Sequence, residues 1–367
     1  MKIPHNPKIM CIADPEFGSR GYPYAFGYVP DTIKKMGLPV CFFNPVTGTI
    51  ESFKDNIQQF KPDLLFGFIQ DRKYIAKIAD FLKVYHPVPA LNWSLEDPNS
   101  VFGPDDSHSM IESSASFDMW FCNDAKMVPF WRTKAAFMPP GFFEDIYYDA
   151  GLERCYDVSY IGQLGPQEVT EMYWPYMKEL SMYGKKAMLA IDRPMGLPLL
   201  PRPLERFIRS KKRRRFLQSL PFWKCQWENP QNEQEKATIV NQSKINFGLS
   251  RVRGSWEKEM KARLPEYPFD KHGLFYQLKG RLFHAVGAGA MVLNEYCPEL
   301  ENMFDIGKEI VTFEFNNMDD FRNKLNWYVT HDTERQKIAR AGYERGRKQH
   351  TFTERIKSIL DITRKTL

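Results

Sequence analysis

The sequence contains no Cys-x-x-Cys pair: six cysteines, Cys11, Cys41, Cys122, Cys155, Cys225 and Cys297, stand singly along 367 residues. Such spacing argues against a zinc knuckle or a redox dithiol, and points to free thiols in a reducing compartment. No apolar run reaches the length of a transmembrane helix, and mean hydropathy is −0.48 with 26% charged residues. The opening MKIPHNPKIMCIADPEFG has a short apolar stretch broken by Asp14 and no small-residue cleavage site. It reads as a first strand rather than a signal peptide, and the expected location is cytoplasmic, extending to peripheral attachment at a membrane. What the chain does have is a 43% hydrophobic content at a length that suits two domains. Its net charge of +6 favours anionic ligands without choosing among phosphates, polymers and membrane surfaces.

Short apolar runs alternate with helical patterns. KIMCIA at 8–13, PVCFFN at 39–44, PDLLFGFI at 62–69, PALNW at 89–93 and FDMWFCN at 117–123 read as strands, separated by helix-like 31–36, 51–60 and 72–84. A second series follows a Pro-Pro-Gly turn: YDVSYIGQLG at 156–165, KAMLAI at 186–191, KINFGL at 244–249, GAMVLN at 289–294 and EIVTFEF at 309–315. Runs of this length between helices predict α/β architecture with two doubly wound parallel sheets. The expected domains are 1–150 and 151–345, each Rossmann-like, with a C-terminal helix at 346–367 packing back toward the N-terminal domain. Residues 192–235 are rich in Pro, Arg and Trp without periodicity, and are read as an insertion or loop region.

The chemistry concentrates in 278–301, LKGRLFHAVGAGAMVLNEYCPELE. Lys279 and Arg281 stand ahead of a small-residue helix whose Gly287, Ala288, Gly289 and Ala290 lead into an apolar strand. Cations beside a helix start make an anion site, because backbone N–H groups and the helix dipole add to the side-chain charge. A solvated Lys/Arg pair at an ordinary corner has the same spacing.

Here the sequence resembles the CgeB-like glycosyltransferases, relatives of glycosyltransferase groups 1 and 4. The resemblance rests on KGRLFHAVGAGAMVLNE, ELENMFDIGKEIVTF, DDFRNKLNWYV and RQKIARAGYERGRKQHTFTERI in that order, with YDVSYIGQLGP and INFGLSRVRG ahead of them. It covers most of 156–360. It implies a GT-B fold, two Rossmann-like doubly wound domains facing a central cleft, and sugar transfer from a nucleotide-diphosphate sugar to an acceptor hydroxyl. Gly162 and the loop to Gly165 would approach the donor phosphates, with Gly289 in the same phosphate-binding segment, and Lys279 and Arg281 would neutralise the leaving diphosphate. Glu295 and Glu299 would lie near donor sugar or ribose; exposed loop carboxylates are the alternative. His284 stands where many relatives carry a ribose-binding glutamate, and a histidine also hydrogen-bonds a ribose or phosphate. The chain has no Asp-x-Asp triplet, the carboxylate pair with which another glycosyltransferase fold holds a divalent cation. No metal and no cofactor beyond the donor substrate are expected. The base for the acceptor hydroxyl is sought among Asp14 and Glu16, after the first strand, and Glu96 and Asp97, after the fourth, because open parallel sheets bind ligands at strand carboxyl ends.

A second reading rests on RFIRSKKRRRFLQSLPFWKCQW at 206–227, where the cations from Arg206 to Arg215 are interleaved with aromatics. That composition suits nucleic acid or an anionic surface on a degenerate GT-B fold. Glycan, protein, lipid-linked and nucleic-acid acceptors all remain open.

Overall fold

The computed structural model describes residues 3–13, 29–95, 110–162, 167–190, 225–228, 230, 232–253 and 274–367. Asp14, Glu16, Glu96, Asp97, Gly165 and the run Arg206–Arg215 lie outside them. The chain divides into two compact units: Met1–Gly141 with Val252–Leu278 and Thr351–Leu367, and Phe142–Arg251 with Lys279–His350.

The first unit is built on β1 (Ile9–Ala13), α1 (Val29–Lys35), β2 (Val40–Phe43), α2 (Ile50–Phe60), β3 (Leu64–Phe68), α3 (Arg72–Val84), β4 (Ala90–Ser94), β5 (Met119–Cys122) and β6 (Lys134–Phe137). The strands form one parallel sheet in the order β2-β1-β3-β4-β5-β6. Every residue of β1, β3, β4 and β5 is buried, as expected of central strands covered on both faces. Helix starts are capped by side chains: Thr49 and Ser52 form a reciprocal capping box on α2, and Asp71 accepts from the Lys73 N–H on α3.

The second unit carries β7 (Tyr156–Ile161), α4 (Gln167–Ser181), β8 (Ala187–Ala190), β9 (Gln226–Glu228), α5 (Glu233–Asn241) and β10 (Ser243–Gly248). Next along the chain is the two-stranded pair β11 (Arg251–Arg253) and β12 (Leu274–Tyr276), and the second unit resumes with α6 (Gly280–Gly287), β13 (Met291–Glu295), β14 (Val311–Phe313), α7 (Met318–Thr330) and α8 (Asp332–Gln349). Helix α9 (Phe352–Thr366) belongs to the first unit, where Phe352 packs on Trp93 with ring centroids 5.3 Å apart. The second sheet runs β14-β13-β10-β7-β8-β9, all parallel. Counted from β7, this is the 3-2-1-4-5-6 order of dinucleotide-binding folds, with its switch point between β7 and β10. The end of 192–235 is not a loop: Gln226–Glu228 pairs with β8 as an edge strand, and α5 starts at Glu233. A three-residue edge strand is too short to show a period.

The core of this unit is aromatic. Tyr176, Phe247, Phe313 and Phe321 interlock with centroid separations of 5.0 to 6.0 Å. Helix α8 lies so close to the preceding segment that a Cβ on Gly342 would stand 2.3 Å from the Glu309 carbonyl oxygen. A Gly342→Ala change gains about 1 kcal/mol of helix preference and meets an immovable backbone atom, an overpacking cost of roughly 1–3 kcal/mol. The clash should win, lowering the urea midpoint; a raised midpoint would show that α8 does not pack this tightly.

Candidate functional site

Helix α6 starts without a side-chain cap. Lys279 holds the N-cap position and its side chain makes no capping hydrogen bond, whereas α5, α7 and α9 are capped by Asn232, Asn317 and Thr351. The sequence explains the difference, since lysine has no acceptor to offer the first N–H groups.

One residue into the helix, the Arg281 guanidinium reaches the switch point of the sheet. It donates to the Tyr160 hydroxyl at 3.0 Å, the Ile161 carbonyl at 3.4 Å and the Leu249 carbonyl at 2.9 Å, so it spans the carboxyl ends of β7 and β10. Its carbon lies 4.9 Å from the Tyr160 ring centre. Among the described residues Arg281 pairs with no carboxylate, and its buried Nε has no hydrogen-bond partner. Among these residues its positive charge is therefore met by neutral dipoles. Gly162 makes the approach possible: with φ at 158°, a Cβ there would stand 2.0 Å from a guanidinium nitrogen of Arg281.

Glu295 is the last residue of β13 and fully buried. Its Oε2 accepts the N–H groups of Ser250 and Arg251 at 3.1 and 2.9 Å, and Arg251 Nε approaches Oε1 at 3.1 Å as an ion pair without hydrogen-bond alignment. The Arg251 guanidinium also lies 4.4 Å from the Phe315 ring centre. Asn294 adds a bond to the Ser250 hydroxyl at 2.8 Å. Gly248 gives the Asn294 amide room, since a Cβ would sit 2.0 Å from its Oδ1. The Ser250–Arg251 turn is thus fastened from β13. Tyr173 donates to the Arg251 carbonyl, and burial, then the Glu295 charge, holds its phenol well above the ordinary range. Glu299 sits in a short 3₁₀ turn, Pro298–Asn302, and is also buried. Neither glutamate is an exposed loop carboxylate.

His284 packs inward on α6, stacked on Tyr147 with ring centroids 4.0 Å apart. The Tyr147 hydroxyl donates to Glu233, which pairs through its other oxygen with Lys236, and all four side chains are buried. Gly289 is not part of the cluster around Arg281. It has φ of 69°, follows the C-cap Ala288 and closes α6 at the opposite end of the sheet, where a left-handed residue is needed. Its expected place beside Lys279 and Arg281 is corrected accordingly. Gly162, Lys279, Arg281 and Glu295 lie at the carboxyl ends of strands or at the start of α6. Tyr160, Tyr173 and Arg251 complete this group without having been singled out; Tyr160 and Arg251 lie inside YDVSYIGQLGP and INFGLSRVRG, but their convergence is a property of the sheet order. Among the described residues no group of three or more His, Cys, Asp or Glu is placed to hold a metal ion.

Residues 186–361 match a sequence-family model described as glycosyl transferase-like. Sucrose-phosphate synthase from Thermosynechococcus elongatus superposes with a TM-score of 0.64 at 10% identity, covering 98% of each chain. HepE from Anabaena, solved with UDP and glucose, gives 0.60 at 12% identity over 98% of this chain and 100% of the other. The chain has the GT-B fold. An α-glucosyltransferase solved with UDP and a mismatched 13-mer DNA has this GT-B fold as well, with a TM-score of 0.58 at 11% identity over 96% and 99% of the two chains. No curated protein sequence matches the chain. No helix among the described residues of this GT-B chain is long and apolar enough to cross a membrane.

Burial lowers the His284 pKa from 6.5 to about 4, against the opposing pull of Glu233 and with help from Lys236 and Arg281. The imidazole is neutral in the folded chain at pH 7. Below pH 6.5 the unfolded chain takes up a proton that the folded chain refuses, so stability falls with pH down to about 4 and this contribution then levels off. At about 1.4 kcal/mol for each unit between the two values, the loss is about 3 kcal/mol. Urea titrations at pH 7, 5.5 and 4.5 should show that slope, and His284→Phe, which keeps the stack on Tyr147, should flatten it. An unchanged slope in the variant would place the titrating group elsewhere.

Proposed function

We propose that the chain transfers a sugar from a nucleotide-diphosphate sugar, with UDP-glucose the first donor to test, to an acceptor hydroxyl. The observation that carries the reading is Arg281: a partly buried cation with no carboxylate partner among the described residues, at the sheet's switch point and beside an uncapped helix start. A diphosphate there supplies the missing negative charge. The α6 N–H groups and Lys279 add donors, and the arrangement strengthens as the leaving diphosphate gains charge during transfer. In this reading Arg281 and Lys279 serve in place of a divalent cation. Glu295 holds the Ser250–Arg251 turn against the donor, and the neutral His284–Tyr147 stack supports the underside of α6 where relatives place a glutamate. Glu299 is the second candidate, after Glu295, to face the donor sugar or ribose. The acceptor base falls to Asp14, Glu96 or Asp97, which follow β1 and β4 in the sequence. The UDP and UDP-glucose complexes of HepE support the choice of nucleotide. The DNA-bound glucosyltransferase keeps nucleic acid beside glycan, protein and lipid-linked acceptors in the screen. A cytoplasmic location, free or at a membrane surface, suits such a donor.

UDP at a hundred times its Kd should stabilise the chain by about 2.7 kcal/mol, with or without chelator, and UDP-glucose should be slowly hydrolysed. Arg281→Ala should weaken UDP at least tenfold, the scale of a charged hydrogen bond at about 1.5–3 kcal/mol. Gly162→Ala should follow it by displacing the guanidinium. Full UDP affinity in both variants, measured by calorimetry, would overturn the reading.

A further inference from the structure

The second unit holds another cluster of cations at the amino-terminal edge of its sheet, the edge away from Arg281. Arg154 precedes β7, Lys244 is the second residue of β10, and Arg335 and Arg340 project from α8; together they line a cavity of about 250 Å³ with Asp149 and Tyr343. This is well above the ~30 Å³ share of one water and below the roughly 300–1,000 Å³ of pockets for drug-sized ligands. A compact ligand fits.

The lining is four cations against one carboxylate. The other acidic partners, Asp157 on Lys244, Asp332 on Arg335 and Glu344 on Arg340, are not among the lining residues. Among the described residues each of the four cations thus has one carboxylate neighbour, two of them, Asp332 and Glu344, well exposed to solvent. Arg154 is fixed by more than its carboxylate. Its two terminal nitrogens donate to the carbonyls of Val240, Ser243, Ala288 and Gly289 at 3.0 to 3.2 Å, while Asp149 stands 3.7 Å off as a loose, half-exposed counterion. Burial lowers the Arg154 pKa; Asp149 opposes this, and the neighbouring Arg335 charge adds to the lowering. The carbonyls take all four terminal N–H groups of Arg154, and Tyr328, Val329 and Asp332 take most of those of Arg335, so these two supply fixed positive charge while Lys244 and Arg340, each with one carboxylate contact, keep N–H groups to donate to an oxyanion.

We propose that this cavity binds a small phosphate-bearing metabolite at a site separate from the sugar-nucleotide site. Arg154 and Arg335 form its floor, Lys244 a wall and Arg340 the rim, with the Tyr343 hydroxyl available to the ligand's neutral part. Because Gly289 closes α6 beside this cavity and Arg281 opens the same helix, occupancy would bear on the helix that carries the diphosphate site.

The test is calorimetric titration of the full chain carrying Arg281→Ala, which weakens the competing site, with orthophosphate, pyrophosphate and glucose 6-phosphate. Saturable binding of at least one probe is expected, weakened at least tenfold by adding Lys244→Gln or Arg340→Glu. These positions make no backbone hydrogen bonds through their side chains, and unchanged melting would show that the fold is intact. Preference for glucose 6-phosphate over the inorganic ions would identify a sugar phosphate, and equal affinities a free phosphate. No binding to the Arg281→Ala chain, or binding untouched by both further variants, would overturn the proposal. Wild-type UDP binding reports on the sugar-nucleotide site alone and does not depend on whether the cavity binds phosphate.

Discussion

Among the described residues the Arg281 guanidinium is held by dipoles alone, at the point where the sheet order of the second unit diverges. Removing Arg281 from water is costly, and two carbonyl oxygens, a phenol oxygen and an aromatic face return only part of that cost. The sheet order makes the position possible. In a 3-2-1-4-5-6 sheet the loops after β7 and β10 diverge, and the ends of those two strands are where Arg281 finds its carbonyls. A cation there without a carboxylate among the described residues is poised to attract an anion, and the α6 start without a side-chain cap beside it points the same way.

Around that cation, the neighbouring groups are fixed by buried polar contacts rather than by regular structure. Glu295 and Asn294 reach from the end of β13 to hold the turn after β10. Two strand-end glycines create the room. Gly162 admits the guanidinium and Gly248 admits the Asn294 amide, and either methyl group would collide at 2.0 Å. The first unit repeats the second device, with Gly67 leaving room for the Asn92 amide that bonds both backbone groups of Ile69. Side-chain amides thus tie down strand ends in both sheets, where a parallel ladder runs out of backbone partners.

The strands and helices are legible in the sequence because their residues are buried on both faces or along one stripe: KIMCIA, PDLLFGFI and KINFGL each form a central strand within a residue or two of the apolar run. The edge strand Gln226–Glu228 is not, since three residues carry no period. At the site, Lys279 and Arg281 stand out from charge beside a small-residue helix. Gly289 misleads because a glycine after a helix is ambiguous between phosphate approach and helix termination, and only its left-handed φ decides. Glu295 resembles a loop carboxylate because the strand ends one residue later than the apolar run. Tyr160, Tyr173 and Arg251 require the sheet order, which brings together residues scattered over nearly a hundred positions.

Where a diphosphate sits decides the role of Arg281. A crystal structure of the chain with UDP measures this directly. It should place the distal phosphate at the start of α6, with oxygens about 2.7–2.9 Å from Arg281 nitrogens, the length of a charge-assisted bond. Diphosphate density elsewhere, with Arg281 still bonded only to Tyr160, Ile161 and Leu249, would contradict it.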